Sequence, residues 1–428
     1  MWLCIYVTMR PTYGWSVRWE SMTMPQGRLK ILLLDNGKEW GGGTNSLLEL
    51  LKRIDRDRFE ITCCFYHNYR RDNEETIGDV LNAMGIPTRF IVQRRQPFWA
   101  KLSKEILRGL LLFNADWRKR AVQAIDQRWR VAPNARRIAD LLRAGKYQLL
   151  YMNNQPNSNV AGYLAAESLP VAMVQHCRIE PLLDPPIVAR VNRGVRCVIA
   201  VSDGVRQTLV QGGVRPALCQ TVFNGIDIHQ PLPDGARLRE SLGADARTFL
   251  FGSIGSLIAR KAHDHTLQVL GAFQQAHPDA RWKMVLVGWG SEQTNLARQA
   301  AQLGLGDRVI FTGFQRNAME YLAAFDTLIL ASRSEGLPRV VLEAMLLGTP
   351  VIGSAVTGTA ELVRHQDTGL LFPYGDVAQL AHHLATLYSD ADQRRLLARR
   401  ANERLRRQLT IENYVAGVEA ILVGGYSS

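Results

Sequence analysis

The stretch TLILASRSEGLPRVVLEAMLLGTPVIGS, residues 327–354, decides the fold. It opens on the apolar, β-favouring run TLILAS and passes through a short polar loop. It then continues with apolar residues at helical spacing. Pro338 fits the first helical position, where its missing N–H costs nothing. Gly348 and Pro350 end that pattern, and PVIGS (350–354) reads as a second strand. A strand, a helix and a strand in this order make a parallel pair with a right-handed crossover.

The same alternation extends in both directions. Upstream strand candidates are KILLL (30–34), FEITCCFY (59–66), QLLYM (148–152), VAMV (171–174) and CVIAV (197–201). A second series comprises TFLFGSI (248–254), WKMVLVG (282–288), RVIFTG (308–313), TLILAS and PVIGS. The Pro-, Gly- and Asp-containing stretch HQPLPDGARLRESLGAD (229–245) separates them. The fold class is therefore α/β, with two doubly wound Rossmann-like domains. Ligands of such sheets bind beyond the carboxyl ends of the strands, so two facing domains are expected to make one cleft. The boundaries read as an N-terminal extension at 1–28, expected to be poorly ordered, a first domain at 29–228 and a linker at 229–245. A second domain follows at 246–408, then a helix at 409–428 that can cross back to the first domain.

Composition agrees with this class. A chain of 428 residues with 46% hydrophobic and 21% charged residues is globular and long enough for two cores. The six cysteines form no CxxC pair, which fits a reducing compartment and argues against a zinc or disulfide framework. The N-terminus MWLCIYVTMR has no basic region before its apolar part, so a signal peptide is not expected. Met24 stands where a domain could begin. No stretch reads as a transmembrane helix.

The chemistry concentrates in 332–354. Glu335 and Gly336 stand in the loop before the helix, and Glu343 lies inside it. A helix start offers free N–H groups and partial positive charge, which suit a diphosphate. Carboxylates are strong acceptors for sugar and ribose hydroxyls. The same residues also fit a capping glutamate and an exposed helix glutamate, and spacing alone does not separate the two readings. Gly41-Gly42-Gly43-Thr44, between the first strand and first helix, either lets a ligand approach the backbone or makes a tight turn. His176, at the end of the VAMV strand, stands at the functional edge of the sheet or is a core histidine. His263-Asp264-His265 is not expected to bind metal, because adjacent side chains on a helix point apart. GSIGS (252–256) lacks the full spacing of a dinucleotide fingerprint.

The Glu335-x7-Glu343 spacing within SEGLPRVVLEAMLLGTPVI resembles the signature of retaining GT-B glycosyltransferases of family 4, the group 1 transferases. WGGGTNSLLELLKRI (40–54), AVSDGVRQTLVQGGV (200–214), VFNGIDI (222–228), VLVGWGSEQTNL (285–296), FTGFQRNAMEYLAAFD (311–326) and GTAELVRHQDTGLLFPYGD (358–376) follow in the family's order. The resemblance implies a metal-independent, retaining transferase of the hexosyltransferase type. Its second domain would hold a nucleotide-diphosphate sugar, by default a UDP-sugar, with no further cofactor. Its first domain would hold the acceptor. By carry-over Glu335 meets the donor sugar, Glu343 the ribose, and Gly313 and Phe314 the base. Gly336, Leu337 and Pro338 line the donor, Gly42 and Gly43 approach the transferred group, and His176 meets the sugar or the acceptor hydroxyl. Lys261 matches the lysine that neutralises the leaving diphosphate. The family's arginine five residues before that lysine is absent, since Ser256 stands there. Arg260 either takes over the phosphate contact or faces solvent.

The chain carries a net charge of +13, and residues 94–143 hold 13 Lys/Arg against 4 Asp/Glu. Leu102, Ile106, Leu110 and Phe113 recur at helical spacing there, with Trp99, Trp117 and Trp129 between them. Such a helix suits an anionic membrane surface; a solvated helix face fits the same pattern. Nucleic acid is not expected, because no reading motif is present. The expected protein is cytoplasmic and peripheral at the inner face of a bacterial plasma membrane. It would build a lipid-linked, lipopolysaccharide or exopolysaccharide glycan. A degenerate binding subunit, with Ser256 as its support, and a nucleotide-sugar 2-epimerase are the alternatives.

Overall fold

The computed structural model describes residues 2–8, 16–22, 27–37, 40–71, 75–91, 98, 102, 105 and 125–424. Most of the basic segment, including Trp99, Ile106, Leu110, Phe113 and Trp117, lies outside the described residues. Within the N-terminal extension, Trp2–Thr8 pairs antiparallel with Ser16–Met22. The chain divides into two compact units. One comprises 1–200, 206–221 and 416–428, and the other 201–205 and 222–415.

The first unit is built on a seven-stranded sheet, parallel throughout. Its order is Cys219–Thr221, Cys197–Ala200, Ala172–Cys177, Leu149–Asn153, Leu29–Asp35, Phe59–Phe65 and Thr88–Phe90. The near-continuous apolar runs are buried on both faces, as a parallel sheet covered by helices requires. Strand Leu29–Asp35 comes first in this series, and its two neighbours lead the chain in opposite directions. The carboxyl ends of Leu29–Asp35 and Leu149–Asn153 therefore flank a topological switch point. Strand Ala172–Cys177 runs on past VAMV and includes His176. Polar residues extend it because they are satisfied internally. Gln175 accepts hydrogen bonds from Tyr163 Oη (2.6 Å) and Asn159 Nδ2 (3.0 Å). From Ala416 onward the last helix, Ile411–Gly424, belongs to this unit, and Glu419 accepts a hydrogen bond from the Asp55 N–H at 2.8 Å.

The second unit has a six-stranded parallel sheet ordered Val309–Gly313, Trp282–Val287, Phe249–Ile254, Thr327–Leu330, Val351–Ser354 and Leu370–Phe372. Its switch point lies between the ends of Phe249–Ile254 and Thr327–Leu330. Phe251, Phe273 and Trp282 pack edge-to-face in the core beneath it. Gly252 is explained by packing, since a Cβ there would lie 1.9 Å from the Phe325 ring. Residues 229–245, expected as a linker, include helix Ala236–Ser241. The Arg239 guanidinium on it bonds Ala324 O, Thr248 O and Asp326. Among the described residues no helix is long and apolar enough to cross a membrane.

Candidate active site

Beyond the switch point of the second unit, the chain leaves strand Phe249–Ile254 through Gly255 and reaches the short 3-10 turn Ala259–Lys261. Lys261 Nζ lies 2.6 Å from Glu335 Oε1, with both side chains nearly buried. Arg260 Nη1 stands 3.5 Å from the other carboxylate oxygen and also donates to Ser334 O. Arg260 is half exposed, yet it is turned toward this cluster. Burial alone would raise the Glu335 carboxyl. The Lys261 and Arg260 charges, with hydrogen bonds from Lys261 and Ser332, outweigh it and hold Glu335 below the usual glutamate value. A cation and an anion from segments 74 residues apart thus meet at the functional edge of the sheet.

Gly336, Leu337 and Pro338 are buried and lead into helix Arg339–Leu347. The helix starts one residue later than the sequence suggests. Pro338 is the N-cap in an extended conformation, because its carbonyl already accepts from the Val341 N–H at 3.1 Å. No side chain caps this start. The loop is clamped from behind: Gly358 N donates to Glu335 O at 3.1 Å, and a Cβ on Gly358 would lie 2.0 Å from Gly336 O. Glu343 is ion-paired to Arg339 Nε at 2.9 Å across one helical turn. Burial raises the Glu343 carboxyl, against the charge and hydrogen bond of Arg339. Arg339 Nη1 is buried without a hydrogen-bond partner. Gly313 ends its strand at φ +70°, and its carbonyl accepts from the Gly288 N–H at 2.8 Å; half-buried Phe314 follows.

His263 packs under the Lys261 loop. Burial, then the Lys261 charge, push it down to about 4. Among the described residues no group of three or more His, Cys, Asp or Glu is placed to hold a metal ion.

In the first unit, helix Gly42–Arg53 begins after Gly41. Among the described residues, a Cβ on Gly41 or Gly43 would meet no atom within 4 Å, and neither has a positive φ. Packing among the described residues therefore does not require glycine there. His176 is fully buried, and its Nδ1 is hydrogen-bonded to Tyr151 Oη. Burial and then Arg178 hold the imidazole well below its ordinary pKa, so it is neutral at physiological pH.

The family model described as glycosyl transferases group 1 matches residues 234–404, and that of glycosyltransferase family 4 matches 118–230. The two models cover successive parts of the chain. This chain belongs to the group 1, family 4-like glycosyltransferases. Its two sheets match the GT-B fold. Anabaena HepE in complex with UDP-glucose superposes with a TM-score of 0.74 at 25% identity, over 93% of this chain and 100% of that one. The N-acetyl-alpha-D-glucosaminyl L-malate synthase of Bacillus anthracis is 32% identical over 47% of this chain, and the match spans 52% of that relative. The lipopolysaccharide core glycosyltransferase LpsE of Rhizobium meliloti is 28% identical over 55% of this chain and 66% of its own length. The chain thus spans about half to two thirds of the length of these last two relatives.

Two features of this chain go beyond the expectations from its sequence. One is the bridge between Arg339 and Glu343, whose only signal is the i,i+4 spacing of opposite charges. The other is a buried network at the switch point of the first unit. Asp35 takes hydrogen bonds from Asn153 Nδ2 and from the Gly37 N–H (2.6 Å), and Arg178 Nε donates to Asn153 Oδ1 at 2.8 Å. Burial raises the Asp35 carboxyl, against those bonds and the Arg178 charge. Its sequence signal is an acidic residue ending an otherwise apolar strand.

Proposed function

We propose that this chain transfers a sugar from a UDP-sugar to a hydroxyl of a lipid-linked or surface-polysaccharide acceptor, with retention of anomeric configuration. The observation that carries the proposal is the Lys261–Glu335 pair beside the uncapped start of helix Arg339–Leu347. In this reading the donor diphosphate lies against the first N–H groups of that helix, where the dipole favours negative charge. As the bond from the anomeric carbon to the phosphate oxygen breaks, charge grows on the diphosphate and the Lys261 ammonium neutralises it. The acceptor oxygen bonds the anomeric carbon from the same face. The departing phosphate oxygen takes the acceptor proton, so no general base is required. Glu335, held ionised, accepts hydrogen bonds from the sugar hydroxyls, and Glu343 from the ribose. Arg260 supplies the second cation near the phosphates. The first unit takes the acceptor, with Gly42 and Gly43 as its contacts; the neutral His176, fully buried against Tyr151, supports the strand end behind them and does not touch the acceptor. The HepE complexes with UDP and UDP-glucose and the lipopolysaccharide role of LpsE support the choice of donor and acceptor.

Incubation with UDP-, GDP- and ADP-sugars, with and without a lipid-linked acceptor, tests this. Acceptor-dependent release of UDP and an anomeric signal of unchanged configuration are expected. Nucleotide binding without turnover under any acceptor would favour the binding-subunit reading, which Ser256 in place of the arginine supports. The membrane contribution of residues 94–143 is tested separately by flotation with vesicles. Retention on anionic but not neutral vesicles is expected, weakening with salt.

Glu343 adds a pH dependence. It accepts ribose hydroxyls as a carboxylate, and its raised pKa places the acid limb of donor kcat/KM above that of an exposed glutamate. Arg339→Gln removes the opposing cation, so the limb moves further up. Activity falls first at mildly acidic pH and is least changed at pH near 8. Arg339→Lys retains most of the wild-type profile. A limb unmoved in Arg339→Gln contradicts this role.

A further inference from the structure

Trp289 is 66% exposed at the carboxyl edge of the second sheet, two residues past the end of strand Trp282–Val287. Its backbone is rigidly fixed. A Cβ on Gly288 would lie 2.0 Å from Gly255 O, and one on Gly290 would lie 2.3 Å from Leu257 O. Leu257 N donates to Trp289 O at 2.9 Å, Glu292 N to Leu257 O at 2.8 Å, and Gly288 N to Gly313 O at 2.8 Å. The turn is thereby tied on one side to the loop that leads to Arg260 and Lys261, and on the other to the strand end that precedes Phe314. Leaving an indole two thirds exposed forgoes much of the apolar burial that so large a ring offers. A broad aromatic face on a fixed turn at this edge suits a flat ligand.

We infer that Trp289 is a stacking platform for the nucleobase of the donor. This rests on the function proposed above, in which the diphosphate lies at Lys261 and the base beside Gly313 and Phe314. Stacking on an aromatic side chain contributes affinity with little selectivity, because every base has a π-face. Trp289 would therefore strengthen binding of uridine, adenosine and guanosine diphosphates alike. The choice among them would fall to groups that hydrogen-bond the base edge.

Calorimetric titration of the full chain with UDP, ADP, GDP and inorganic pyrophosphate tests this. It compares the wild type with Trp289→Ala, Trp289→Phe and Lys261→Met. Trp289→Ala is expected to weaken UDP binding about 10- to 100-fold, the range that loss of one base–aromatic stack gives. Trp289→Phe retains most of the affinity, and pyrophosphate binds both variants as it binds the wild type. Unchanged UDP affinity in Trp289→Ala overturns the inference. So does an equal loss for UDP and pyrophosphate, which would mean that the Lys261 loop had been disturbed. Lys261→Met is expected to weaken UDP and pyrophosphate together. If it weakens neither while Trp289→Ala still weakens UDP, the phosphate assignment fails and stacking stands. Absence of any nucleotide binding to the unaltered chain overturns both.

Discussion

Replacing Lys261 with Met will lower kcat about 100- to 1,000-fold, the loss typical of removing one preorganised charge-stabilising group. Two effects contribute, and they separate experimentally. The first is catalytic: the ammonium opposes charge that appears only as the diphosphate departs, so it acts mainly on kcat. The second is structural. Lys261 and Glu335 are 2.6 Å apart and nearly buried, so the single variant leaves a carboxylate without its main partner. Breaking a buried pair from one side costs about 3–5 kcal/mol. The low end applies here, because Arg260 remains 3.5 Å from Glu335. With Lys261 gone, burial dominates and Glu335 moves up toward protonation. The double variant Lys261→Met/Glu335→Gln removes the stranded charge, so its denaturation midpoint recovers most of the loss. Its kcat stays as low as that of either single variant. Recovery of both together would mean that the pair only holds the loop.

The second large effect is expected at a residue that carries no side chain of its own. Gly358→Ala places a methyl 2.0 Å from Gly336 O, a backbone atom that cannot rotate away. The loop Glu335–Pro338 must shift, and the hydrogen bond from Gly358 N to Glu335 O breaks or lengthens with it. Overpacking of this kind costs about 1–3 kcal/mol of stability. Glu335 is displaced by up to the order of 1 Å, enough to lower kcat/KM about 100-fold. Gly304→Ala tests a glycine with no atom near its Cβ, where only the left-handed backbone (φ +70°) is strained. It is expected to lose stability without losing kcat/KM. Paired melts and initial rates on both variants separate misplaced chemistry from general destabilisation.

Both doubly wound sheets were legible, because parallel strands buried on two faces read as uninterrupted apolar runs. Three short strands, Thr88–Phe90, Cys219–Thr221 and Leu370–Phe372, were not. Each is only three residues long and lies at a sheet edge, too short for a strand pattern to show. Strand Ala172–Cys177 was read too short because Gln175 and His176 are polar; their partners, Tyr163, Asn159 and Tyr151, come from elsewhere in the fold. The loop at Glu335 and the helix at Pro338 were visible as local pattern. The meeting of Lys261 with Glu335 was not, since it joins residues 74 apart through a sheet whose strand order periodicity does not give. Gly358 appeared in the sequence as part of GTAELVRHQDTG, and its packing reason exists only once Gly336 lies against it. The bridge from Arg339 to Glu343 needed only the i,i+4 rule.

The measurement that bears most directly on the central claim is a crystal structure of the chain with UDP bound. The account predicts the diphosphate against the N–H groups that open helix Arg339–Leu347. Lys261 Nζ would lie within hydrogen-bonding distance of a phosphate oxygen while Glu335 stays beside it. A diphosphate bound elsewhere, with Lys261 and Glu335 still paired and no phosphate near the start of that helix, would contradict it.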